Sequence, residues 1–280
     1  MMLDQQTLEK LTQMRLSAMG QEYRRQLESS DKNALSFEER FAMIADAQWL
    51  NQQNNRFKRL LKKANLRIKD ACLEDLDYEP CRNLERGAVA RLADMAWVYE
   101  SRNLIITGAS GTGKTYLACA FGNAACRKSF KTRYYRVNRL LTDLSIGQGD
   151  GSYNKIIKEL KKIDLLILDD WGMALLDPAN SRDLLEVVED RYDYRSTVIS
   201  SQLPVSKWHE LFEDSTVADA ILDRLVHNAS RFELKGPTKR RFQQNLETEK
   251  RERQQNTRLP SPMGEGNEGN DTVPQQKPQE

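Results

Sequence analysis

Gly108-Ala109-Ser110-Gly111-Thr112-Gly113-Lys114-Thr115 follows the apolar stretch NLIITG (103–108) and opens into TYLACAFGNAAC (115–126). It meets the pattern G-x-x-x-x-G-K-[ST] at every fixed position, and its setting, a strand before and a helix after, is the one such a loop requires. Glycines let backbone N–H groups converge on phosphate oxygens, and the helix N-terminus adds its positive end. Gly108 to Thr115 are therefore the expected ATP-binding residues. Lys114 is expected to reach the β- and γ-phosphates, and Thr115 to offer its hydroxyl to Mg²⁺.

A second element agrees. Ile163 to Leu168, apolar but for Asp164, is a run that ends in Asp169-Asp170. Two adjacent carboxylates at the end of a buried strand are costly unless a positive charge faces them, and a metal ion beside the phosphates supplies it. Asp169 is expected to hold Mg²⁺ through water and Asp170 to orient or deprotonate the attacking water. The strand STVISSQ (196–202) then ends in Ser200, Ser201 and Gln202, where a polar side chain could sense the γ-phosphate.

Outward from these motifs the chain divides in three. Residues 71–245 alternate apolar strands with helical patterns: NLIITG (103–108), TRYYRV (132–137), DLLILDD (164–170), STVISSQ (196–202) and SRFELK (230–235) are the strand candidates. Such alternation means a parallel sheet of an α/β fold, covered by helices on both faces. Residues 1–70 hold no proline and only Gly20, and read as a small all-α N-terminal domain. In its first helix Leu8, Leu11, Met19, Tyr23 and Leu27 recur near helical spacing. A second helix starts at the capping box Ser36/Glu39, with Phe37, Phe41 and Ile44 on a stripe expected to pack the helices together. Residues 246–280, rich in Gly, Pro, Gln and Glu without aromatics, read as a disordered tail.

Composition narrows the classes. In 280 residues, 39% are hydrophobic and 30% charged, with a net charge of +2, enough for a packed core and one or two domains. No apolar run approaches the ~20 residues that cross a bilayer, and MMLDQQTLEK has no signal-peptide core. Cys72, Cys81, Cys119 and Cys126 form no C-x-x-C pair, so reduced thiols in a cytoplasmic protein are the expectation. The near-neutral charge hides local bias. Residues 47–69 contain seven Lys or Arg and no acid, and 127–139 contain six and no acid. Arg56, Lys58, Arg59, Lys62, Lys63 and Arg67 in the first block, with Arg133, Arg136 and Arg139 in the second, are the expected DNA contacts. No base-reading motif is present, so backbone contact with duplex DNA, without sequence choice, is expected.

Together these residues resemble the AAA+ ATPases, and within them the IstB and DnaC-like group. The resemblance runs from about Leu73 to Arg241 through LEDLDYEP, GASGTGKT, LLILDDWG, VISSQLP, DAILDRLVHN and LKGPTKRR. It implies an AAA+ P-loop core with a five-stranded parallel sheet and a reduced or absent C-terminal lid. It places Gln202 at the sensor 1 position, Arg224 at the arginine finger that reaches a neighbouring subunit's ATP, and Arg240 at sensor 2; Arg231 is a possible substitute finger. It also implies a homo-oligomeric regulator of DNA transposition that assembles on duplex DNA and recruits or stimulates a transposase. Asp170 stands where many AAA+ proteins have Glu, so slow hydrolysis, stimulated by DNA or assembly, is expected. The rival readings are a replicative helicase loader of the DnaC type and, from another class, a small-molecule P-loop kinase. The polar-ended STVISSQ strand argues against the kinase.

Overall fold

The computed structural model describes residues 2–29 and 35–238. Three helices come first, α1 (Met2–Gln13), α2 (Ser17–Glu28) and α3 (Phe37–Ala64); α4 (Arg86–Ala93) and α5 (Ala96–Tyr99) lead to the sheet. Then follow β1 (Asn103–Gly108), α6 (Lys114–Arg127), β2 (Thr132–Arg136), α7 (Val137–Asp150), α8 (Tyr153–Lys161), β3 (Leu165–Trp171), α9 (Pro178–Glu189), β4 (Ser196–Ser201), α10 (Ser215–Val226) and β5 (Ala229–Leu234).

The strands pair in parallel in the order β2-β3-β4-β1-β5. Each strand alternates its side chains between two faces, and on the inner strands β1, β3 and β4 both faces are buried. Leu104, Ile106, Ile167 and Val198 pack with Leu117 and Phe121 of α6 on one side. Ile105, Leu166, Leu168 and Ile199 pack with Leu140, Leu144, Leu184 and Ile221 on the other. The α/β sandwich expected from the alternation is present, and β1, which delivers the phosphate loop, lies inside it. Strand ends are fixed by side chains: Asn103, the first residue of β1, donates through Nδ2 to the Arg224 and Leu225 carbonyls and accepts from the Thr197 N–H.

The N-terminal helices depart from the sequence reading in two places. The first expected helix is two, because Arg15 takes a left-handed backbone (φ 61°) and turns the chain. Leu8 and Leu11 of α1 then lie over Gly20 of α2, and the Tyr23 hydroxyl donates to Asp4. The second concerns the stripe on α3. Phe37 and Phe41 stack on each other yet remain 68% and 54% exposed. Gln26 of α2 reaches the Arg40 carbonyl and the Met19 N–H reaches Gln48, so the first turn of α3 projects past the end of α2. The capping box itself forms, with the Ser36 side chain accepting from the Glu39 N–H and Glu39 accepting from the Ser36 N–H. The far end of α3 joins the main core through Phe57, Leu60, Leu61 and Ala64.

Candidate functional site

The loop between β1 and α6 has the shape that its glycines permit. Gly108, Gly111 and Gly113 all have positive φ, and a side chain at Gly108 would run into the Leu234 carbonyl of β5. Lys114, 8% exposed, donates to the Ala109 carbonyl at 2.8 Å, and the Thr112 hydroxyl donates to the same oxygen. Ala109 and Ser110 at the tip are exposed. Lys114 therefore spans the loop it is expected to serve.

Beside it stands Asp169, 1% exposed. Its Oδ2 accepts from the Thr115 hydroxyl at 2.8 Å and from the Tyr134 hydroxyl at 2.7 Å. Its Oδ1 is buried without a hydrogen-bond partner. A buried, half-satisfied carboxylate is expensive. Thr115 gives its one hydrogen to Asp169 and so keeps its lone pairs free to ligate. These donors fit a hard divalent cation. Among the described residues no group of three His, Cys, Asp or Glu gathers into a cage. That suits an ion that takes its remaining oxygens from phosphate and water.

Asp170 follows at a bulge. The β3–β4 register slips between Leu168 and Trp171, and Asp170 takes φ 60°. Its Oδ2 lies 3.5 Å from Arg136 Nε and 3.8 Å from Arg67 Nη1. Arg67 Nη1 is also 3.9 Å from Asp169. Arg67 and Arg136, grouped by the sequence with the DNA contacts, are thus placed at the acidic pair.

Two residues of the site carry no motif. Tyr134 anchors Asp169; burial first, and then the carboxylate beside it, push its hydroxyl pKa up, so it stays a donor. Its alternation with Thr132, both buried, was the only signal available. Arg82 is buried under the loop, donates through Nη2 to the Thr112 carbonyl, and pairs through Nη1 with Asp77 at 3.4 Å. Nothing in the spacing around PCR (80–82) marks it.

The remaining expected residues spread out. Gln202 is exposed just past β4 and donates to the Met173 sulfur, on the same edge of the sheet as the acidic pair. Arg224 pairs with Glu189 at 2.9 Å and donates to the Ala220 carbonyl. It sits near Asn103, at the start of β1, whereas the loop follows the end of β1, about 17 Å away at ~3.3 Å per residue. Arg231, exposed on β5, donates to the Val226 carbonyl. Arg240 lies outside the described residues. Arg56, Lys58, Arg59, Lys62 and Lys63 are exposed on α3. Arg133 donates to the Lys63 carbonyl at 2.9 Å and so draws the two basic stretches together, while Arg139 pairs with Asp143.

A model of the family described as IstB-like ATP binding protein matches residues 9–248. The chain belongs to that family. Among its relatives, a putative insertion sequence ATP-binding protein, y4pL, of Sinorhizobium fredii is 43% identical over 242 residues, covering 86% of this chain and 98% of the relative. The putative ATP-binding protein of insertion sequence IS1162 from Pseudomonas fluorescens is 43% identical over 205 residues, covering 73% and 89%. Among solved structures, the DnaC helicase loader superposes with a TM-score of 0.51 at 20% identity, covering 59% of this chain and 97% of that one, a likeness of fold. This IstB-like chain is an ATPase with an AAA+ P-loop core, associated with transposition. Among its described residues no helix is long and apolar enough to cross a membrane.

Proposed function

We propose that this ATPase binds Mg-ATP at Gly108–Thr115, assembles with copies of itself on duplex DNA, and recruits or stimulates a transposase. The observation that supports the chemistry best is Asp169, with Thr115 on one carboxylate oxygen and nothing on the other. Thr115 and Asp169 would hold Mg²⁺, which, when bound, neutralises charge on the phosphates. Lys114 turns from the Ala109 carbonyl to the phosphate oxygens. Asp170, on its bulge, orients the water that attacks the γ-phosphorus, and Gln202 watches the same edge. Arg224 is too far from its own loop to reach it and acts, on this reading, on a neighbouring copy's ATP; Arg240 is proposed as the sensor 2 arginine.

Arg56, Lys58, Arg59, Lys62 and Lys63, joined to β2 through Arg133 and continued by Arg139, form the proposed DNA surface. The relatives are named for insertion sequences, which favours a transposase over a replicative helicase as partner. A pull-down against both separates the two. For the site itself, Lys114→Ala should weaken ATP binding at least tenfold, as a lost charge-assisted phosphate contact does. Asp170→Asn should keep binding and lose turnover, because only the water is affected. Normal ATP affinity in Lys114→Ala, measured by equilibrium titration, would end the loop assignment.

A further inference from the structure

The sequence groups Arg67 with the DNA contacts, and the fold sets it beside Asp169 and Asp170. Leu66, its neighbour, is buried in the main core, and Asn65 closes α3 in a left-handed cap, so the backbone at Arg67 is rigidly set. The head is not. The side chain is 42% exposed, and its guanidinium reaches Asp169 and Asp170 at 3.9 and 3.8 Å. Those separations exceed the hydrogen-bond range of about 2.7–3.2 Å. The contact is one of charge, without the paired fork that arginine forms with a carboxylate it is built to hold.

We propose that Arg67 is a γ-phosphate contact, and that it lets the chain tell ATP from ADP. The inference rests on the proposed roles of Asp169 and Asp170. A divalent cation on Asp169 takes up the negative charge that Arg67 shares, and two cations on one carboxylate repel. The terminal phosphate arrives with that cation and offers the guanidinium a new anion, matched to its planar fork. ADP with the same cation brings no such group, and Arg67 is left with Asp170 alone. Arg136 meets Asp170 alone, from the end of β2, and lacks this position between the two carboxylates. The residue that senses the phosphate is thereby attached to the last turn of α3, the helix that presents the basic face.

The test compares equilibrium affinities for Mg-ADP and for a non-hydrolysable β,γ-methylene ATP analogue, in the parent, Arg67→Ala and Arg67→Gln, which keeps the apolar stem. Both variants should lose about tenfold or more in analogue affinity and less than about twofold for ADP, with Arg67→Lys in between. Equal losses for both nucleotides, or no loss, would overturn the proposal, since a merely structural arginine cannot change their ratio. Lys114→Ala serves as the control and should lose both nucleotides. If it binds both normally, the reading of the loop fails first and the Arg67 inference falls with it. If Lys114→Ala behaves as expected and the ratio in the Arg67 variants is unmoved, only the Arg67 inference falls.

Discussion

Asp169 keeps two hydroxyl donors on one oxygen and none on the other, and that asymmetry defines the site at the level of single residues. Partners of a metal-ligating carboxylate orient it, and losing one costs about tenfold or more in metal affinity. Tyr134→Phe preserves the ring in the core and deletes one donor. We expect its half-saturating Mg²⁺, in a nucleotide-binding titration, to rise about tenfold, with about 1 kcal/mol of stability lost. A drop in melting temperature with unchanged Mg²⁺ dependence would show that the tyrosine only packs. That Thr115 and Asp169 would meet was legible in the sequence, because a phosphate-loop motif allows little freedom of residue type or spacing. Tyr134 and Arg82 were not, since a strand tyrosine and a lone arginine acquire meaning only from what lies beside them in space.

The elements were legible where one force dominates. Every strand lies within one residue of the stretch read as one, and the inner strands β1, β3 and β4 were plainest, because a parallel strand buried on both faces has no signature but an apolar run. The α3 N-terminus was equally plain, since a capping box satisfies backbone donors locally. The turn at Arg15 was hidden: neither glycine nor proline marks it, and packing of α1 against α2 decides it. The exposure of Phe37 and Phe41 was hidden too, being a matter of how far α2 extends. For the basic face of α3, Arg59, Lys62 and Lys63 changed together to Ala should weaken binding to all duplexes alike. If all three meet phosphates, the slope of log affinity against log salt should fall by about 2.7 units, at ~0.9 per contact. An unchanged slope and affinity would return this face to simple solvation.

At the scale of the whole molecule, Arg224 and the phosphate loop occupy opposite ends of β1. On the proposed reading a second copy of the chain brings them together. Arg224→Ala should therefore bind ATP almost as the parent does and hydrolyse it poorly, as expected when transition-state charge goes uncompensated. Mixing it with Lys114→Ala, once co-assembly has been verified, should restore part of the turnover that neither has alone. Mixed assemblies on DNA that stay inactive at every ratio would remove the role across copies and turn attention to Arg231. The long helix has a mechanical meaning as well. α3 runs 28 residues without a break, about 42 Å at 1.5 Å per residue, with one end seated in the ATPase core next to Arg67 and the stacked Phe37–Phe41 pair bare at the other. If Arg67 shifts with the phosphate as proposed, the helix would serve as a lever about that end. A pivot of about 5° at Ala64 sweeps the phenylalanine tip through about 4 Å, so a displacement too small to notice among the phosphates is magnified at the tip.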